Sequence, residues 1–355
     1  MSRSEEVSSP AVVDLPERVR DRDIFRDHQN RLFVVLGYIQ PSDRVLSYLK
    51  YVPVEDGMWE AGGIRYRRIF WGSVNSTLEG MAILPQDYIT EDAHFQTRLV
   101  EPPRSAIIEY YSPELRLKEI LEEPSDNLEV LTRNAAEILN DTLGIPFDSL
   151  GVAGSILWKG HNTKHSDINM NVYGFSNAWA LFNNFEKVDT LHNQARLRSL
   201  PEWEHAIRRV HDRIAVLRPN DLDALFSRRR ALCIGERCIG ITPVLYPEET
   251  PIRHGSESYI TQTTEPTIFS MTIKSTDYSI FHPAIYEIAP LEHNDSTINR
   301  IMVYDGAFGG LFERGDSVEV SGALQKVTTT RRDTDFYQVM VGTKNGSGKE
   351  YIRFL

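Results

Sequence analysis

Gly151-Val152-Ala153-Gly154-Ser155-Ile156-Leu157 and, eleven residues after Ser155, Ser166-Asp167-Ile168-Asn169-Met170-Asn171-Val172-Tyr173-Gly174 are the two segments on which the fold turns. The first is an apolar run that breaks at Gly-Ser, which predicts a strand, a tight turn and the start of a short helix. The second alternates. Residues two apart on a strand share a face, so Asp167 and Asn169 project together while Ile168 and Met170 enter the core. A helix N-terminus favours anions. Gly154 lets the backbone come close to one, and Ser155 can cap the helix. Asp167 and Asn169 add oxygen donors of the kind hard cations take. Taken singly, Gly-Ser is a turn and Asp167 caps a strand end; the combination and its spacing say more.

A hydrophobic residue, Gly-Ser, a gap, then acid-hydrophobic-acid on a strand resembles the signature of the DNA polymerase β-like nucleotidyltransferase superfamily. The resemblance implies a site for a nucleoside triphosphate with Mg²⁺ or Mn²⁺. Gly154, Ser155 and Ser166 would hold phosphate, and Asp167 and Asn169 would hold metal and carry the catalysis. Asn169 stands where the pattern has a second Asp, so one negative charge is missing and metal affinity is expected to fall. Many members carry a third carboxylate on a later strand. The second strand of the expected hairpin at 231–244 has none, leaving Gly240 or Thr242 at that position. His161 and His165 fall in the loop beside the motif and are candidate proton acceptors, although loop histidines more often face solvent.

Composition narrows the partners. The 355 residues carry 39 Lys and Arg against 50 Asp and Glu, a formal net charge of −11. That opposes general electrostatic binding to nucleic acid or anionic membrane. Length allows two or three domains. The only cysteines, Cys233 and Cys238, predict a reducing compartment, no disulfide and two buried strand residues. With no membrane-spanning apolar run and no signal-peptide core, a soluble cytoplasmic protein is expected.

The expected organisation is α+β. Residues 1–20 read as a flexible tail. Residues 21–105 read as an antiparallel β-module, with strands at 31–39, 44–52 and 64–71 and a turn at Gln40-Pro41-Ser42-Asp43. Its alternating Arg and Tyr fit a solvated sheet face better than a base-stacking one. Residues 106–254 form the nucleotidyltransferase-like domain. There Ser112-Pro113 opens a helix, a second runs to Gly144, and a further helical stretch spans 175–230. From Glu186 to Arg230 ten basic residues meet seven acidic ones, and Arg208-Arg209 and Arg228-Arg229-Arg230 are candidate phosphate or RNA contacts. Residues 255–355 are β-rich, and Val318-Glu319-Val320 through Val327 is similar to strands of OB-like barrels.

A β-module from Asp23, the Gly37-Tyr38-Ile39-Gln40-Pro41 segment, the Gly-Ser motif and a β-rich tail together look like a family of archaeal predicted nucleotidyltransferases, over nearly all the chain after residue 20. In that family the strand motif is Ser-Asp-Ile-Asp, from which Asn169 departs. The function expected is nucleotidyl transfer to a hydroxyl on RNA, a protein or a small molecule. The alternative is a degenerate nucleotide- or RNA-binding protein on the same scaffold. A purely structural adaptor explains the motif least well. Oligomeric state and preferred base do not follow from the residues.

Overall fold

Short β-branched and aromatic runs between Val12 and Tyr111 pair into a seven-stranded antiparallel sheet. Its strands are β1 (Val12–Val13), β2 (Ile24–Asp27), β3 (Leu32–Val35), β4 (Ser47–Pro53), β5 (Trp59–Ala61), β6 (Ile64–Arg68) and, after a separate hairpin of β7 (Ile89–Asp92) and β8 (Thr97–Val100), β9 (Ile107–Tyr111). The order is β1-β9-β2-β3-β4-β6-β5, and helix α1 (Val74–Ala82) joins β6 to the hairpin. The computed structural model describes residues 12–355 except 71, 73, 192–194, 295 and 331–334. Residues 1–11 of the expected tail, and Trp71 of the expected third strand, lie outside the described residues. Residues 107–111, read above as part of the helical domain, instead form β9 and pair with β2. Ile-Ile-Glu-Tyr-Tyr is strand composition. Tyr48, Tyr51 and Tyr66 are buried, so the tyrosines of this sheet are core and not a solvated face.

The central part is helix-covered. Ser112 caps α2 (Pro113–Glu122), with Pro at its start. Asp126 caps α3 (Asn127–Leu143) by accepting from the Leu128 and Glu129 N–H groups, and Gly144 closes it in the left-handed conformation. After β10 (Leu150–Val152), α4 (Gly154–Leu157), β11 (Ile168–Tyr173), α5 (Phe175–Phe182), α6 (Phe185–Leu191) and β12 (Ala195–Leu197) come α7 (Glu204–Arg213), α8 (Pro219–Ser227), β13 (Leu232–Ile234) and β14 (Arg237–Val244). The five strands lie in the order β10-β11-β14-β13-β12. Only β11 and β14 run parallel. The apolar stripe of α3, Ala135, Ala136, Ile138 and Leu139, shares a core with Val152, Ile168, Met170 and Val172.

The Gly235-Glu236 turn sets Cys233 directly opposite Cys238, and the two are joined as a disulfide. The expectation of two free thiols is therefore corrected. A two-residue turn places residues two positions out on either side face to face, within bonding reach.

The C-terminal part contains β15 (Glu257–Thr261), β16 (Thr267–Tyr278), β17 (Ala284–His293), β18 (Ser296–Val303), β19 (Ser317–Thr329), β20 (Asp335–Val341) and β21 (Tyr351–Phe354). Five of these close on themselves. β16 pairs with β17, β17 with β18, β18 in parallel with β20, β20 with β19, and β19 with β16. β15 and β21 flank β19. The barrel core takes Leu222, Leu225 and Phe226 of α8. The whole chain is a mixed α+β structure with several sheets, and among the described residues no helix is long and apolar enough to cross a membrane.

Candidate functional site

The Gly-Ser turn and the polar strand meet at one end of the central sheet. β10 runs antiparallel to β11, so the exit of the first lies beside the entry of the second. The Ala153 N–H donates to the Asn169 carbonyl at 2.8 Å. Gly154 has φ +65°, and a Cβ there would stand 3.1 Å from Asn169 Nδ2; both facts call for glycine. Ser155 Oγ donates to Ser166 Oγ at 3.1 Å, and Ser166 Oγ accepts from the Asn162 N–H at 2.9 Å. All five residues expected to form the site are thus neighbours. Ile168 and Met170 are buried, as alternation requires, while Asp167 is exposed and Asn169 half-buried.

Three details differ from expectation. The helix α4 is a single turn, and its N-cap is Ala153 without a side-chain cap. Ser155 sits inside that turn, where its hydroxyl meets Ser166. His161 is turned away to α3, with Nε2 2.7 Å from Asp126 Oδ2, and so is committed to a helix cap; His165 is exposed. Of the candidate arginines in 186–230, Arg208 pairs with Glu204 of its own helix, Arg228 with Glu313 and Asp316, and Arg230 with Glu186.

The parallel register decides the third-carboxylate position. Asn169 lies opposite Gly240, and Asn171 opposite Thr242. A Cβ on Gly240 would stand 2.6 Å from Asn169 Oδ1. Strands β10, β11 and β14 carry no carboxylate, and Asp167 stands just before β11. A hard cation would find one carboxylate and one amide oxygen here. Those are suitable atoms with little charge.

The site has contributors that sequence spacing could not disclose. Lys50 of β4 lies within electrostatic reach of Asp167. Burial, then Arg68 and Arg22, push its ammonium down to about 7, with Asp167 pulling the other way. Trp158, one turn past Gly-Ser, is buried edge-on against Tyr51 and Tyr66. Arg237 at the start of β14 donates to the Ser166 and Thr163 carbonyls at 3.0 and 2.8 Å, holding the loop that leads into Asp167.

Among the described residues, two further groups of potential ligands lie elsewhere. Asp126, Glu129 and His161 converge within 4.8 Å, but the Arg116 guanidinium already binds Glu129. Glu202 lies beside Cys233 and Cys238, whose sulfurs are spent on each other.

An uncharacterized protein of Methanocaldococcus jannaschii is 24% identical over 364 residues, covering 95% of this chain and 99% of its own length. The similarity therefore runs through nearly the full length of both chains. No family model and no solved structure matches the chain.

Proposed function

We propose that the chain is a nucleotidyltransferase-like protein with a polymerase β-like central core. It binds a nucleoside triphosphate at the β10–β11 end and passes the nucleotidyl group to a hydroxyl acceptor. The observation that carries this reading is the convergence of Gly154, Ser155, Ser166, Asp167 and Asn169 at one sheet end. Backbone at Gly154 and the two serine hydroxyls suit phosphate oxygens. Asp167 and Asn169 would hold Mg²⁺ or Mn²⁺, which when bound neutralises phosphate charge. Lys50 of the N-terminal sheet would bring an amine whose charged form Asp167 and a bound phosphate both favour. The acceptor class we propose is RNA, by the circuit of the barrel, which has the strand order of OB-like folds. The loop between β16 and β17 packs instead on the N-terminal module, where Tyr38 N–H donates to the His282 carbonyl, so an acceptor would have to use other barrel surfaces.

A second reading, nucleotide binding without turnover, is favoured by Gly240 opposite Asn169. Pyrophosphate release with each of the four common NTPs and Mg²⁺ or Mn²⁺, alongside NTP affinity, separates the two. Release by this chain and its loss in Asp167→Ala supports the enzyme. Release by Asn169→Asp alone makes the chain a disabled form. Binding without release by either supports the second reading. Absence of NTP binding by both would reduce Gly-Ser to a turn.

A further inference from the structure

Strand β4 carries a bulge at Lys50. Leu32 of β3 pairs with Tyr51 and the next residue, Phe33, pairs with Leu49, so Lys50 has no opposite number on β3. A bulge bends its strand and re-aims side chains. Tyr48 and Tyr51 would fall on opposite faces under regular alternation. Here both join the core shared with Ile156, Trp158 and Ile168, while Leu49 and Val52 join a separate one. Lys50 is thereby carried between two tyrosines that face the Gly-Ser part of the central domain.

The basic groups around it are already engaged. Arg22 donates to the Tyr48 hydroxyl at 3.3 Å and pairs with Asp21, Lys159 pairs with Glu119 at 3.1 Å, and Arg237 is given over to two loop carbonyls. Lys50 is different. It is half-buried, and among the described residues its Nζ has no hydrogen-bond or ion-pair partner, yet it is not sealed from water. The amine lies 5.7 Å from the Tyr51 ring centre, and Asp167 is the carboxylate that acts on it. A lysine partly desolvated beside other cations is the environment that turns an ammonium into a nucleophile. An amine also needs no metal to deprotonate it, a task for which Asn169 and Gly240 leave the site short of charge.

We propose that Lys50 is the first acceptor of the nucleotidyl group and holds it as a covalent phosphoramidate. The proposal rests on the nucleoside triphosphate site proposed above and adds a covalent step to it. The Lys50 amine attacks the α-phosphorus: the N–P bond forms, the P–O bond between the α- and β-phosphates breaks, pyrophosphate leaves with the bonding pair, and the amine proton passes to water. The acceptor hydroxyl then attacks the same phosphorus. Its O–P bond forms as the N–P bond breaks, and its proton goes to the Lys50 nitrogen.

The full chain and Asn169→Asp are each incubated with the four common NTPs and Mn²⁺, with no acceptor added, then quenched and weighed by intact mass spectrometry while pyrophosphate is counted in parallel. The expected result is one nucleoside monophosphate per chain, matched by one pyrophosphate, retained through denaturation at neutral pH and released by mild acid, as a phosphoramidate is. Peptide fragmentation places it on Lys50. Lys50→Arg keeps the charge but offers no free amine near neutral pH; it loses the adduct and still binds NTP. Lys274→Arg, on an exposed position of the barrel, leaves the adduct unchanged. A thermal melt checks the fold of Lys50→Arg, and fragmentation of the chain with Lys50 intact decides alone if that variant unfolds. An adduct on Lys50 in either chain supports the proposal. Pyrophosphate release without an adduct, or an adduct on a serine, a tyrosine or another lysine, overturns it and leaves nucleotidyl transfer standing. NTP binding with neither adduct nor release in both chains overturns it as well. No NTP binding by either removes the triphosphate site itself, and the proposal with it.

Discussion

Asn169 and Gly240 face each other across the parallel pairing of β11 and β14, and the amide of Asn169 fills the space a side chain at 240 would need. Gly240→Ala should cost little stability, within about 1 kcal/mol, because the clash is with the end of a side chain that can swing. It should nevertheless move the Asn169 oxygen and change NTP affinity. The Asn169→Ala background should abolish that change, a non-additivity read by a double-mutant cycle in an NTP titration.

Trp158 joins the loop after Gly-Ser to the N-terminal sheet through Tyr51 and Tyr66. Trp158→Ala should cost about 3–5 kcal/mol, the range for deleting a buried large aromatic. Gly160→Ala should also destabilise, since its Cβ would fall 1.7 Å from the Trp158 ring. Urea unfolding measures both.

Glu101 is buried, with one carboxyl oxygen unpaired. Burial first, and then the neighbouring Asp92, push its carboxyl up to about 8. Asp92 is held down to about 2, against its own burial, by His254 and the Phe95 N–H. Between an unfolded value near 4.5 and about 8, the folded chain keeps a Glu101 proton that the unfolded chain has released, so this contribution to stability declines as pH rises. Glu101→Gln should therefore raise the melting temperature at pH 8, by about 1–3 kcal/mol of stability, with the gain shrinking towards pH 4.5. Thermal melts across that window check both sign and range.

The Cys233–Cys238 bond closes a loop with a sequence separation of 5. Its removal should cost only about 2 kcal/mol on the chain-entropy relation for so short a loop. Thiol titration should find no free thiol in the unreduced protein, native or denatured, and two after reduction. Dithiothreitol should lower the melting temperature by a few degrees without unfolding the chain.

Much of the local structure was legible in the residues. Ser112-Pro113 opened a helix where capping chemistry says it should, Gly144 ended the next, the hairpin expected at 231–244 formed, and the alternation from Asp167 to Met170 set which side chains faced out. The hidden parts were long-range. No spacing rule brings Lys50 to Asp167 or Tyr51 and Tyr66 to Trp158, because those contacts depend on how the N-terminal sheet lies on the central core. Ile107–Tyr111 adjoins helices in sequence, whereas its pairing partner is a strand far earlier in the chain. The disulfide depends on the exact register of that hairpin, which sets Cys233 and Cys238 face to face two positions out from its turn.

The segment from Arg20 to Tyr38 touches both the central part and the barrel. Arg20 pairs with Glu114 and lies 4.1 Å over the Tyr173 ring, Asp21 accepts from the Gly37 N–H, and Tyr38 reaches the barrel loop. The hydrophobic clusters ignore the sequence boundaries at 105 and 254: one unites Ile24, Tyr51 and Tyr66 with Val152 and Met170, and another unites Tyr38 and Phe95 with Leu245, Tyr259 and Met302. Cutting the chain at either boundary would lay open a broad greasy surface on both fragments. The three parts thus share apolar cores across both boundaries.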